Sequence, residues 1–478
     1  MRWSRVLRGT VLTAATCAVA ACTSVVTVGA PTGPGPSPGG TPDVTLGPAP
    51  GTHPAAAWPE FDQNAGRTGI APGLPQAGGL TSRWTASLDG AVYGQPLVVG
   101  DMVIAATEND SVYALSRATG TVLWRSHLGT PVPQSQQHGC GNIYPLGITG
   151  TPAYDQGTGL VYAVAETVGY HHVLFGLSVT NGAVRVQRDI DEPSALQNPA
   201  YDQQRPALTI TDGRVYAAFG GLAGDCGQYQ GMVVGVPLSG VGALVSWHTP
   251  TNREGAVWGT AGPVVGPNGD LWVSTGNGDA GTGDPYDGSD SVDRLSPDLR
   301  RLDFFAPATW ASDNQGDLDL GSTQPVLAAG NTTFIVGKRG TGYLLDSGDL
   351  GGIGHQRAAE SVCVAFGAAA VDGSTVYEPC LNGGGMAAVS VSARQRQIRV
   401  LWRGPAGTNG SPVLGGGAVW VTSYSDSGGT LYELNPDSGA TMNQIAINVG
   451  LPHFSSLSLA GGTGFLGTLQ GVVAIDGA

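Results

Sequence analysis

The chain has 478 residues, a formal net charge of -14 and only 12% charged residues, and Gly (77) with Pro (32) makes up nearly a quarter of it. So many backbone punctuators exclude a helical bundle or a coiled coil, whose interiors tolerate neither residue well. The acidic balance excludes a nucleic-acid binder working by counterion displacement, and the 41% apolar content supports a sizeable core rather than wholesale disorder.

The N-terminus reads as an address. Arg2, Arg5 and Arg8 precede an apolar stretch, Val11 to Ala21, too short to span a bilayer as a mature helix. It ends in Val19-Ala20-Ala21-Cys22, similar to a bacterial lipobox. The expectation is a lipoprotein signal peptide over 1–21, lipidation at Cys22 and a flexible Pro/Gly-rich tether over 22–57. The body, 58–478, then sits on the extracytoplasmic face of a bacterial cell membrane. An ordinary secretory signal with an incidental Cys is the alternative.

The body is all-β and repetitive. Segment 95–125 reads as four short strands separated by turns at Gly100-Asp101, Glu108–Asp110 and Ala118-Thr119-Gly120. Looser copies follow near 148–188, 206–248, 259–305, 322–360, 364–403, 410–446 and 455–475, with a late-turn Gly at 120, 182, 240 and 439. This spacing is that of four-stranded propeller blades, each of which needs neighbours to cover its faces. The last copy has three strands, and a spare strand at 81–88 precedes the first. Its Arg83-Trp84 resembles Leu123-Trp124 and Leu401-Trp402, so it is expected to complete blade 8 and close an eight-bladed ring. Two separate sandwiches of repeats are the alternative.

Cys17 leaves with the signal and Cys22 takes lipid, so Cys140, Cys226, Cys363 and Cys380 remain in an oxidising compartment. Cys363 and Cys380 flank a hairpin turning at Asp372-Gly373, so they can face each other. Elimination pairs Cys140 with Cys226. Four unpaired thiols are the alternative.

The run Val112-Tyr-Ala-Leu-Ser-Arg-Ala-Thr-Gly-Thr-Val-Leu-Trp124 resembles the repeat of pyrroloquinoline quinone (PQQ) alcohol dehydrogenases, a repeat also found in a lipoprotein propeller of outer-membrane assembly machinery. The resemblance covers about 59–478. It is specific for the fold and nearly silent on function. It implies where to look: a flat quinone wants a stacking ring, a cation, a metal and a carboxylate base.

Of 22 basic residues only Lys338 is Lys, so an ammonium is singled out there. Its run, through Gly340, Tyr343 and Asp346, is similar to the family segment whose Lys contacts the quinone. Trp258 matches the family's stacking Trp, and Asn277, in Thr275-Gly276-Asn277, matches its calcium-ligating Asn. The Asp313–Leu327 run resembles the segment carrying the base; Asp319 is preferred, with Asp317 open. The family Asp is the base or a metal ligand, so Asp319 also counts as a metal oxygen beside Asn277, and for a further one blade 3 offers Asp225, which blade order favours, over Glu166 in blade 2. The family's adjacent-cysteine cap is missing; the corresponding loop carries His171 and His172. The loop Gly276–Ser291, with Asp279, Asp284, Asp287 and Asp290, reads as a solvated acidic loop rather than a calcium site. No Cys-x-x-Cys-His is present, so electrons would leave to a separate acceptor. The resemblance thus implies a propeller holding PQQ and calcium and oxidising an alcohol or sugar hydroxyl; the lipobox adds the lipid anchor, and a monomer is expected. A non-enzymatic scaffold that binds proteins or envelope glycans is the rival.

Overall fold

The computed structural model describes residues 56–191, 198–381 and 384–477. The signal peptide, Cys22 and nearly all of the tether lie outside the described residues. The body is an eight-bladed β-propeller. In blade 1, Leu97–Val99, Met102–Thr107 and Ser111–Ser116 are almost wholly buried, while the outer strand Val122–His127 alternates toward solvent. Near-continuous apolar strands follow from neighbours covering both faces. Blades 2 to 7 repeat the antiparallel plan in chain order, except that Gly352–Ile353, ahead of the outer strand of blade 5, pairs in parallel with the outer strand of blade 4. Blade 8 joins Leu457–Ala460, Thr463–Thr468 and Gly471–Asp476 to Thr81–Ser87, which pairs antiparallel with Gly471–Asp476. The ring is closed as expected, and no blade is left with the open face of a sandwich.

A repeated rivet fastens several blades. Trp84, Trp124 and Trp402, on the outer strands of blades 8, 1 and 6, donate Nε1–H to Arg117, Val179 and Pro436 carbonyls of the next blade at 3.0, 2.9 and 2.8 Å. Each ring lies on that blade's late-turn glycine: Gly120 and Gly182 at φ +72° and Gly439 at +69°. A Cβ there would stand 2.6 Å from the ring at Gly120 and Gly182. Only glycine provides both the left-handed backbone and the room. Blade 2 uses Val186 over Gly240 in the same way.

The segment before Thr81 is not a plain lead-in. Ala56–Trp58 pairs with Leu97–Val99 on the channel side of blade 1, two residues before the expected start of the body. The chain then crosses the ring. Pro59 O accepts from Tyr154 N (2.7 Å), Ala65 O from Val265 N (2.8 Å), Thr68 O from Val371 N (2.9 Å) and Gly69 O from Leu414 N (2.7 Å). Arg67, 2% exposed, pairs with Glu60 at 3.0 Å and donates to Leu208 O at 2.9 Å. These contacts reach innermost strands of blades 2, 3, 4, 6 and 7, so the segment plugs the axial channel. Both expected disulfides are formed, Cys140–Cys226 with Cα atoms 6.2 Å apart and Cys363–Cys380 with Cα atoms 5.7 Å apart.

Candidate functional site

Blades 3 to 5 depart from the regular plan, and the departures build a cavity. Blade 3's second strand, Arg214–Gly221, ends in Gly220 and Gly221. A Cβ on Gly220 would stand 2.9 Å from Ala256 Cβ and 3.1 Å from Trp258 Cβ. The bare backbone therefore lets the segment before blade 4 come close. That segment is zipped to the loop after Leu271–Ser274 by Gly276 N–H to Ala256 O (2.9 Å) and Gly255 N–H to Asn277 O (2.5 Å). Trp258 and Asn277 thereby share one side of the site. Trp258 lies ahead of the innermost strand Val264–Val265, not on it.

The carboxylates arrive on an element the sequence did not reveal, the helix Trp310–Gly316. Asp317 ends it in the left-handed conformation at φ 52°. Asp319 follows just before the turn Leu320–Ser322. Its main-chain carbonyl accepts from Lys338 N–H at 2.9 Å, so the carboxylate and the ammonium are presented together.

Asp319 is 7% exposed; its Oδ1 accepts from Asn277 N–H at 2.6 Å and its Oδ2 pairs with Lys338 Nζ. Lys338 Nζ also meets Asp317 Oδ1 at 2.5 Å, and that oxygen accepts from Asn277 Nδ2 at 3.1 Å. Burial pushes the Asp319 carboxyl above its ordinary range, with Lys338 pulling the other way. For Lys338, burial would lower the ammonium pKa, but Asp319 and Asp317 outweigh it and hold the pKa up. Gly276 is essential to this packing: a Cβ there would collide with Asp319 Oδ1 and reach within 3.2 Å of Trp258 Nε1. Lys338 Nζ stands 5.6 Å from the Trp258 ring centre and 5.9 Å from that of Phe366. Asn277 Oδ1 is buried without a hydrogen-bond partner.

Trp258, Lys338, Asn277, Asp225, Asp317 and Asp319 all line one cavity of about 480 Å³. Asp225, on the blade 3 lip, is exposed and accepts from Tyr229 OH at 2.6 Å. The Cys140–Cys226 bridge ties that lip to the loop after blade 1, where Gly141 N–H donates to Ala223 O at 2.9 Å.

Other expectations go elsewhere. Glu166 is buried against His172, 3.6 Å from its Nε2, and accepts from Gln204 N–H at 2.6 Å, so it is not in the cavity lining. Burial opposes the charge on His172, yet Glu166 and Asp191, at 2.7 Å, hold its pKa well above the ordinary value. His171 is exposed beside Asp189 and Asp191. Tyr343 is buried in the core between blades 4 and 5, and Asp346 pairs with Arg357 at 3.1 Å. In the acidic loop, Asp284 and Asp287 accept from amides of the loop itself, and Asp290 accepts from Leu320 N–H at 2.9 Å. Asp279 and Asp284 are exposed as a solvated loop requires, but Asp290 is fully buried, because its carboxylate turns inward to the Leu320 amide.

The sequence did not single out Arg205, Glu254, Phe366, Tyr424, His453 or Phe454, which also line the cavity. Phe366, Phe454 and Arg205 each stand shortly before an innermost strand, as Trp258 does. Comparing the copies at that position is the signal that would have found them. Burial pushes the Glu254 carboxyl up to about 7, against the pull of Arg253.

A family described as outer membrane protein assembly factor BamB matches residues 81–273, from the closing strand of blade 8 to the second strand of blade 4. No curated protein sequence matches the chain. Among solved structures, quinohemoprotein alcohol dehydrogenase from Comamonas testosteroni aligns at 15% identity and TM-score 0.63, over 87% of this chain and 80% of that one. A europium-containing methanol dehydrogenase aligns at 13% and 0.65, over 88% and 98%. BamB from Moraxella catarrhalis aligns at 15% and 0.56, over 83% and 97%. Identities this low show the fold. The chain thus has the propeller fold shared by these quinoprotein dehydrogenases and BamB, and its residues 81–273 match the BamB family of PQQ-type repeats. Among the described residues, no helix is long and apolar enough to cross a membrane.

Proposed function

We propose that this protein is an extracytoplasmic, Cys22-anchored quinoprotein that holds PQQ with a hard cation and oxidises an alcohol or sugar hydroxyl, passing electrons to a separate acceptor. The observation that carries this reading is the meeting of Trp258, Lys338, Asn277 and Asp319 in one cavity, with the Asn277 amide oxygen buried and unpartnered. The donor set suits the group. Trp258 offers a ring face, Lys338 a positive charge over that ring, and Asn277 Oδ1 with Asp319, Asp317 and Asp225 hard oxygen ligands for calcium or, as in the europium-containing relative, a lanthanide. When bound, PQQ would supply the two-electron acceptor for conversion of a CH–OH carbon to a carbonyl.

The chain's own residues do the rest. Asp319 is placed to take the hydroxyl proton at its carboxylate, since burial favours its protonated form. Lys338, held charged by its acid partners, polarises an oxygen presented above Trp258. Asn277 N–H fixes the Asp319 rotamer, so the base is oriented before anything binds.

The test is a titration of the purified protein with PQQ in calcium or europium, read by quenching of Trp fluorescence, followed by dye reduction with a panel of alcohols. Tight binding, weakened at least tenfold in Lys338→Gln, is the expected result; removing a charged hydrogen-bond partner has about this effect. No quinone binding by the wild-type protein overturns the reading. The match of residues 81–273 to an assembly factor favours the scaffold as second reading. It expects no quinone affinity and a specific envelope partner in cross-linking.

A further inference from the structure

The cavity carries a second cation, and its surroundings differ from those of Lys338. Arg205 precedes the innermost strand Thr209–Thr211 of blade 3. Its place is fixed by the chain just after it, where Ala207 N–H donates to Thr260 O (2.9 Å) and Leu208 N–H to Thr151 O (3.0 Å). Among the described residues its side-chain partners are His453 Nε2, which accepts from Nη2, and the Phe454 ring, 5.1 Å from Cζ. Among the described residues, no acid forms an ion pair with it. Lys338, by contrast, is neutralised by two carboxylates.

The neighbours do not cancel this charge. Burial, then Arg205 itself, lowers the His453 pKa to about 3, so its ring is neutral at pH 7 and free to accept. Glu108 is the acid that acts on Arg205 from blade 1, and burial pushes its carboxyl up to about 8, leaving it mostly protonated. The phenols of Tyr93 and Tyr424 also act on Arg205 and stay neutral, since burial raises both. One positive charge therefore faces the cavity uncompensated, in a chain of net charge -14. A half-buried cation of this kind is costly unless an anion meets it.

Between the two cations runs an aromatic strip. Phe454 stacks on Phe366 at 6.0 Å and lies 6.2 Å from the Trp258 ring. One end thus offers a ring, an ammonium and a base; the other offers a guanidinium fork suited to a carboxylate. We propose that the molecule oxidised is a hydroxy acid whose carboxylate docks on Arg205 while its carbon chain crosses the Phe454–Phe366 strip toward Asp319. This narrows the substrate class of the proposed function and rests on it for the oxidation step.

The experiment is calorimetry on the purified protein, without and with saturating PQQ, using 4-hydroxybutyrate and its neutral counterpart 1,4-butanediol. The expected result is that the acid binds at least tenfold tighter than the diol. Arg205→Gln should remove that preference and Arg205→Lys restore part of it, with circular dichroism unchanged. Equal affinity for acid and diol, or an unchanged preference in Arg205→Gln, overturns the proposal. Displacement of the acid by PQQ, with PQQ affinity falling in Arg205→Gln, also overturns it, because Arg205 then serves the quinone. Acid binding through Arg205 without any PQQ binding sustains the anion site while the quinone reading fails, so the two failures are separable.

Discussion

Two arcs of the ring solve the same packing problem differently. From blade 8 through blades 1 and 2 to 3, and again from 6 to 7, a large outer-strand side chain sits on the next blade's late-turn glycine. From blade 3 to blade 6 that rivet is missing. At the blade 3–4 seam the outer-strand Trp247 packs with Leu299, which stands at the late turn with φ 58°, and the same arc carries the loop Gly276–Ser291, the helix Trp310–Gly316 and the cavity. One disulfide, Cys363–Cys380, lies between blades 5 and 6 where the rivet fails, and the other, Cys140–Cys226, ties the loop after blade 1 to the blade 3 lip where that arc begins. The repeat is kept where only stability is asked of it and broken where polar groups must converge, with covalent ties supporting the broken arc.

The largest expected effect comes from removing those ties. In the chain-entropy picture, the Cys140–Cys226 loop of 86 residues contributes about 4.5 kcal/mol and the Cys363–Cys380 loop of 17 about 3 kcal/mol. Cys140→Ser with Cys226→Ser should therefore cost more stability in urea unfolding than the Cys363/Cys380 double change. It should also weaken ligand binding, because Asp225 sits beside Cys226 on the cavity lip. If both pairs cost the same and neither touches binding, the irregular arc does not depend on its cross-links.

A crossed pair of glycine substitutions separates the arcs more sharply. Gly439→Ala forces an L-residue into φ +69° and drives a methyl into the Trp402 ring. It should cost about 2–4 kcal/mol and leave cavity binding unchanged. Gly276→Ala pushes on Asp319 instead, and should cut quinone or metal affinity at least tenfold at less than half that stability cost. Equal loss of both properties in both variants would mean that the arcs are one cooperative unit.

The same division decides what was legible. The ring, its closure by the strand near 81–88 and both disulfide pairings could be read, because each leaves a periodic or countable trace. Lys338 stood out as the only Lys among 22 basic residues, and Trp258 and Asn277 through short motifs. Arg205 did not, because one Arg among many carries no mark and its lack of an acid partner exists only in three dimensions. Helix Trp310–Gly316 is too short for a helical period to show and read as a run of carboxylates. The channel plug from Trp58 to Gly69 has no period at all; its conformation is set by the innermost strands it touches.

A pH-dependent effect concerns two buried acids of the irregular arc. Asp319 has Lys338 beside it, while Glu378, 1% exposed at the end of Thr375–Glu378 in blade 6, is raised to about 8 by burial alone. The folded state therefore binds a proton at Glu378 that the unfolded state has lost above about pH 4.5. Stability from this group is fully present below pH 4.5 and declines as pH rises toward 8, by at most about 1.4 kcal/mol per pH unit. Urea midpoints measured from pH 5 to pH 8 should fall, and Glu378→Gln should remove this group's share of the decline while leaving pH 5 nearly unchanged. Asp319→Asn should instead lower stability across the whole range, because it leaves Lys338 without its buried partner. Parallel pH profiles for the two variants would show that a counterion makes no difference to how this arc carries a buried acid.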